Sequence, residues 1–336
     1  MLEIPILLII IIVVALIFDF TNGAHDCANA IATVVSTKVL SPRLAVIMAA
    51  SLNLIGALLG ERVAHTLGAG IVNIDVVMGS QILVLAALCG AITWNIITWY
   101  LGLPSSSSHA LIGGLMGAAI CHSGLNSLNG LSILKKVLLP LIFSPLIGFT
   151  VSYIVMTLLI FLLWRVHRQR ITRWFSKLQI LSAAFIALSN GLNDAQKTMG
   201  VIALALFLFH QIDTIHIPFW VKIACALAMA LGTATGGWKI VKTMGHKIFK
   251  LEPVHGFAAE TSAALVITSA SLMGAPVSTT HVTSACIFGV GVTKRFSAVR
   301  WGTAGNLVMA WTLTIPASAL IAGVSFYILS WLGIGG

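Results

Sequence analysis

The chain has 336 residues, of which 58% are hydrophobic and only 8% charged, with a mean hydropathy of +1.03. Soluble domains run near a quarter charged, so a soluble globular protein is excluded and an integral membrane protein is indicated. The formal net charge of +10 would suggest nucleic acid in a soluble protein, but here the basic residues fall between apolar runs, where they serve as topology signals, and no nucleic-acid partner is expected.

In chain order, hydropathy gives apolar segments near 4–37, 44–60, 80–103, 104–120 and 138–163, then 178–209, 219–238, 256–273, 276–292 and 303–332. The opening run from Ile4 to Phe18 follows a negative residue, Glu3, and no small-residue cleavage site succeeds it. It reads as a span, not a removable signal peptide. A spanning helix needs about 20 apolar residues. The first and sixth segments exceed that, and each carries a polar motif near its middle, which predicts a helix interrupted there. The five cysteines, Cys27, Cys89, Cys121, Cys225 and Cys286, are scattered without metal-type spacing and read as packing residues.

The polar motifs occur twice. The run from Asn22 to Asn29 (NGAHDCAN) returns from Asn190 to Lys197 (NGLNDAQK), shifted by 168 positions. Pro104 to His109 (PSSSSH) returns as Pro276 to His281 (PVSTTH), shifted by 172. Near-equal shifts of about half the chain imply one duplicated unit: residues 1–163 as a first transmembrane repeat, 164–177 as a basic cytoplasmic linker and 178–336 as a second. The strongest basic loop, Arg165 to Lys177, is placed in the cytoplasm by the positive-inside rule. Counting spans from it puts fourteen basic residues inside and three, Arg62, Lys135 and Lys136, outside. The span with Asp26 then runs inward and the span with Asp194 outward, and both termini come out extracytoplasmic if the last segment crosses once. The expected fold is an all-α integral membrane protein of two inverted-topology repeats with interrupted helices and about 10 apolar segments. The two Pro motifs lie between closely spaced segments, which are either full spans or re-entrant hairpins.

Many secondary transporters are built this way, with the substrate site at the repeat interface near the bilayer midplane, and broken helices persist in lipid only around a cavity, ion or substrate. Asp26 and Asp194 are the first candidates, since an ionised carboxylate at mid-membrane costs about 2.5 to 3.5 kcal/mol on insertion scales. The competing reading is a helix cap near the bilayer surface. As a coupling-cation site they would be joined by the oxygens of Asn22, Asn29, Asn190 and Asn193, because hard cations prefer oxygen. Ser105, Ser106, Ser107 and Ser108, with Ser278, Thr279 and Thr280, follow Pro at the start of apolar helices, where hydroxyls and unpaired N–H groups suit a tetrahedral oxyanion. The alternative is that the hydroxyls bond back to their own helices. Lys197, with Gln196 beside it, is either a further contact to the anion or the partner of Asp194 in an ordinary i, i+3 pair. Glu260 has no acidic counterpart, the same offset giving Leu88; it reads equally as a proton or cation site and as a cap after Gly256. His109 and His281 read first as hydrogen-bonded packing residues.

These motifs resemble the inorganic phosphate transporter (PiT or Pit) family. GLNDAQKTMG at Gly191–Gly200 is close to that family's second signature, and PSSSSHALIGG with PVSTTHV is similar to its other paired signature. The resemblance covers essentially the whole chain. It implies transport of phosphate with a coupling cation, Na⁺ or H⁺, in a multi-pass protein of the cell (inner or cytoplasmic) membrane with no bound cofactor. Two departures, His25 where many members have Asn and Asn53 where some sodium-coupled members have Glu, are similar to the bacterial low-affinity branch. That branch is regarded as proton-coupled and able to carry a divalent metal with the phosphate. A homodimer is among the open alternatives for assembly, and the long central hydrophilic loop of larger relatives is missing.

The mechanism expected is symport by alternating access. A sulfate permease of the same family and a passive anion channel are the rival readings, the paired carboxylates speaking against the channel. An intramembrane hydrolase using Ser106 or Ser278 is disfavoured, because catalysis needs one nucleophile and one base instead of two equivalent sets, and no G-x-S-x-G elbow is present. No enzymatic activity is expected.

Overall fold

Backbone in hydrocarbon must satisfy its N–H and C=O groups within its own segment, and the apolar runs of this chain accordingly fold as helices. The structure, a computed structural model, describes residues 5–70, 80 and 82–334; Glu3 lies outside them. Among the described residues there is no strand. In order, the helices are α1 (Ile6–Ser36), α2 (Pro42–Leu58), α3 (Arg62–Gly70), α4 (Ile82–Leu101), α5 (Ser107–Ser123) and α6 (Gly130–Leu163). The second half adds α7 (Arg168–Leu208), α8 (Phe219–Thr235), α9 (Trp238–Lys247), α10 (Pro253–Leu272), α11 (Thr279–Lys294) and α12 (Trp301–Trp331).

By length and composition α1, α4, α6 and α12 can each cross a membrane, and α8 with α9, bent by 60° at Gly236 and Gly237, can form a fifth span. This is fewer than the ten apolar segments of the sequence. The physical reasons are two: α2, α5 and α11 have only 17, 17 and 16 residues, short of the roughly 20 that span hydrocarbon, and polar side chains dilute the apolar character of the others, charged and amide groups on α7 and Glu260 with several Ser and Thr on α10. The basic residues Arg168, Arg170, Arg173 and Lys177 belong to the first turns of α7 itself.

The expected interruption at the Asn-Gly-Asp motifs is not found: α1 and α7 are helical throughout. The motif glycines serve close packing instead. A Cβ on Gly23 would lie 2.2 Å from the backbone oxygen of Met229 on α8, and one on Gly191 would lie 2.1 Å from that of Asn53 on α2. Across the same crossings, a Cβ on Gly232 of α8 would lie 2.0 Å from Phe20 O and one on Gly56 of α2 2.1 Å from Leu188 O. Small residues allow such approaches between membrane helices. The chain breaks before α5 and α11 instead, where Gly102 (φ 68) and Gly274 (φ 72) adopt the left-handed conformation that ends α4 and α10. Pro104 and Pro276 follow two residues later, each without a backbone donor.

Two apolar cores result. Leu8 to Phe18 of α1 pack with α4, α5, α8 and the end of α7, whereas Cys27 to Val34 pack with α2, α10, α11 and the Ala183–Ala187 stretch of α7. The polar motifs of α1 and α7 occupy the junction. Gly23→Val or Gly191→Val should force the crossing helices apart and lower stability by about 1–3 kcal/mol, the usual cost of overpacking, seen as a lower melting temperature in detergent. Gly302→Ala, where an added Cβ meets nothing within 4 Å, should leave the melting curve in place.

Candidate functional site

α1 and α7 cross the junction side by side, and the starts of α5 and α11 are directed at them. Ser106 and Ser278 are the N-caps of those two helices, accepting from the backbone N–H of His109 and His281, each at 3.2 Å. Their hydroxyls are thus spent on their own helices, as Ser at an N-cap usually is. The next residues reach the carboxylates. Ser107 Oγ stands 3.0 Å from Asp26 Oδ2 and 2.5 Å from Asn22 Oδ1, its one proton shared between the two oxygens. Thr280 Oγ1 donates to Asp26 Oδ1 at 2.8 Å, and Thr279 Oγ1 donates to Asp194 Oδ2 at 3.0 Å. Asn29 Nδ2 joins the two sides, its two N–H groups shared among Asp26 Oδ1, Thr280 Oγ1 and Thr279 Oγ1 at 3.1 to 3.3 Å.

Lys197 lies at the centre. Its ammonium donates to Asp194 Oδ1 at 2.6 Å, to Ser108 Oγ at 2.5 Å and to the backbone oxygen of Val277 at 3.0 Å. All three N–H donors of the group are used. None of these side chains is more than 4% exposed, so the cluster is closed off from both surfaces. His25 Nδ1 stands 3.6 Å from Asp26 Oδ1, an ion pair when the ring is protonated. Behind it Ser105 Oγ donates to Thr98 Oγ1 at 2.9 Å, and both hydroxyls lie 3.4 Å from His25 Nε2.

Other candidates of the sequence fall elsewhere. Gln196 faces away and accepts from Val63 N at 2.8 Å, holding the start of α3. Asn193 donates to Ser271 Oγ at 2.7 Å on α10, and both polar atoms of Asn190 are buried without a partner. Glu260 forms a separate cluster: it accepts from Thr33 Oγ1 at 2.5 Å, Gln179 Nε2 at 3.0 Å and Ser182 Oγ. Thr33 is seven residues beyond Asp26 on α1, about 10 Å along the axis. His109 and His281 stack on one another at 5.0 Å, and His281 also stacks on Trp311 at 4.2 Å; they pack as expected, but not as hydrogen-bonded residues, since both ring nitrogens of His281 and Nδ1 of His109 are buried without a partner. Sequence reasoning missed Thr98, Gln179, Ser182 and Asp19, none of which belongs to a repeated motif; a charged residue inside an apolar run was the available signal for Asp19.

The fold and this occluded polar centre define a multi-pass α-helical protein of the cell membrane. The phosphate transporter family PHO4 matches residues 22–322, and the chain belongs to that family. It is 49% identical over 323 residues to a probable low-affinity inorganic phosphate transporter of Rhizobium meliloti, covering 96% of each chain. A protein of Bacillus subtilis with the same description is 45% identical over 326 residues, covering 97% of this chain and 98% of that one. Among solved structures, the fold is similar to one titled the sodium-dependent phosphate transporter, with a TM-score of 0.89 and 25% identity over 97% of this chain and 99% of that one.

The ion pair at the centre makes a testable demand on stability. Lys197→Met strands Asp194 as an uncompensated buried charge, for which the cost is about 3–5 kcal/mol. Thermal melts in detergent should show that loss, and Asp194→Asn added to Lys197→Met should recover a large part of it.

Proposed function

We propose that the protein is a secondary active transporter that carries inorganic phosphate together with a cation, H⁺ or Na⁺, across the cell membrane by alternating access. The observation that carries this reading is that the starts of α5 and α11, 172 positions apart in sequence, bring equivalent hydroxyls to the same pair of carboxylates and one buried lysine. Matched close crossings, α1 on α8 and α7 on α2, support the reading of two equivalent repeats. The basic-residue count supports their inverted orientation.

Phosphate binds between the two helix starts. Ser107, Ser108, Thr279 and Thr280 exchange their bonds to the protein for bonds to phosphate oxygens, the helix N-termini add favourable dipoles, and Lys197 supplies the positive charge. The carboxylates set two further conditions. Asp26 and Asp194 hold two negative charges against the single charge of Lys197, so a buried anion raises the electrostatic cost unless a cation enters with it. Phosphate and cation thereby each lower the cost of burying the other, which is the coupling. A protonated phosphate can also donate a hydrogen bond to a carboxylate, which sulfate at neutral pH cannot. That chemistry favours phosphate over the sulfate alternative.

Reconstituted into liposomes, the protein should concentrate labelled phosphate on an imposed cation gradient, and an excess of sulfate of about tenfold should compete poorly, as the missing proton implies. Asp26→Asn should insert normally and lose accumulation. Uptake that only equilibrates in the wild type would establish a channel, and equal competition by sulfate would establish a general oxyanion carrier.

A further inference from the structure

Among the described residues four carboxylates are buried within helices: Asp19, Asp26, Asp194 and Glu260. Every oxygen of Asp26, Asp194 and Glu260 accepts a hydrogen bond from a protein donor. Asp19 differs. It is 0% exposed, and neither of its oxygens has a hydrogen-bond partner. Thr198 on α7, Asn22 one turn on along α1 and Cys225 on α8 stand around it, and Thr198 Oγ1 is itself buried without a partner.

An ionised carboxylate in that setting recovers little of its desolvation cost, because Thr198, Asn22 and Cys225 stand beside it without a formed hydrogen bond. A carboxylic acid avoids that cost: it is neutral, and its O–H can donate to the hydroxyl of Thr198. A metal ion fits the surroundings poorly, because hard cations take several oxygen ligands, whereas here one neighbour is a thiol and the unbroken α1 keeps its backbone carbonyls in helical bonds. The titratable groups that face Asp19 are Cys225 on α8 and Asp194 on α7. Of the other titratable groups on helices packed against α1, Lys197 is engaged with Asp194, Lys222 with Glu61, Lys239 with Tyr100, Glu260 with Thr33, Gln179 and Ser182, and His281 in its stack.

We propose that Asp19 is the proton-carrying group of the transport cycle, a binding site for the coupling ion distinct from the phosphate cluster one to two turns away along α1. This rests on the symport reading and names its ion. With the site open to one side, the carboxylate takes a proton from water and an O–H bond forms. The neutral acid allows the occluded conformation, with phosphate held at Lys197 and the hydroxyls. When the other side opens, the O–H bond breaks, the proton passes to water and the carboxylate is restored. One H⁺ thus moves with each phosphate.

The experiment uses the full chain in liposomes containing a pH-sensitive dye, with wild type, Asp19→Asn and Asp19→Glu compared. The wild type should accumulate phosphate on a pH gradient, with lumenal acidification accompanying phosphate entry. Asp19→Asn, permanently neutral, should still exchange labelled for unlabelled phosphate, while its accumulation falls to the equilibrium level and its proton signal is lost. Asp19→Glu should restore both signals with a displaced pH profile. Accumulation by Asp19→Asn on a pH gradient at the wild-type ratio overturns the proposal, as does loss of exchange in both variants, which would make Asp19 a packing residue. Wild-type accumulation driven by Na⁺ alone overturns the proton assignment and leaves symport standing; no accumulation on either gradient overturns the symport reading and this proposal with it.

Discussion

The structure is organised around the burial of the Asp26, Asp194 and Lys197 charges where no water reaches them. Charges in hydrocarbon persist only when paired and hydrogen-bonded, and this requirement explains why four helices converge on one point. α7 supplies both members of the ion pair at i and i+3, α1 supplies the second carboxylate, and α5 and α11 supply the hydroxyls. The rest of the fold keeps these elements close. Gly23, Gly56, Gly191 and Gly232 set α1 against α8 and α7 against α2 at backbone contact, so the side chains of the junction have little room to rearrange without moving whole helices.

That rigidity bears on how such a site can work. Packed interfaces respond as two arrangements instead of deforming continuously, and a closed cluster in which every donor of Lys197 is used must reorganise when an anion enters. The short helices α5 and α11 are anchored by the Ser106 and Ser278 caps, whose hydroxyls serve their own helices, and the hydroxyls that follow are left to face the cluster. Two further carboxylates, Asp19 and Glu260, flank the cluster along α1 on opposite sides, one without donors and the other with three.

Much of the site is legible in the amino-acid sequence, because duplication singles out residues that an apolar chain would otherwise exclude. Asp26, Asp194, Asn29, Lys197 and the hydroxyls of the two Pro motifs are all marked that way, and the fold brings them together. Local cues mislead where they stand for distant contacts. Gly23 and Gly191 have the character of helix breakers and are contact points between helices. Gln196 has the character of a site residue by its place beside Lys197, yet on a helix adjacent positions point about 100° apart, and its amide turns to Val63 on α3. Asp19 carries no such mark, because it has no counterpart in the other repeat.

The sequence by itself determined the class: composition demands a membrane protein, the motifs recur at near-equal offsets, and a Pro followed by hydroxyl residues marks the start of a helix. These are properties of short segments and of their recurrence, which a linear chain records. Only the tertiary structure decided who meets whom. Asn29 and Thr280 are 251 positions apart and Asp26 and Thr280 are 254, and no local rule encodes such pairings. They arise because helix crossings at glycine fix the relative height and rotation of α1, α7, α5 and α11, and because a buried charge accepts only the arrangement in which donors surround it.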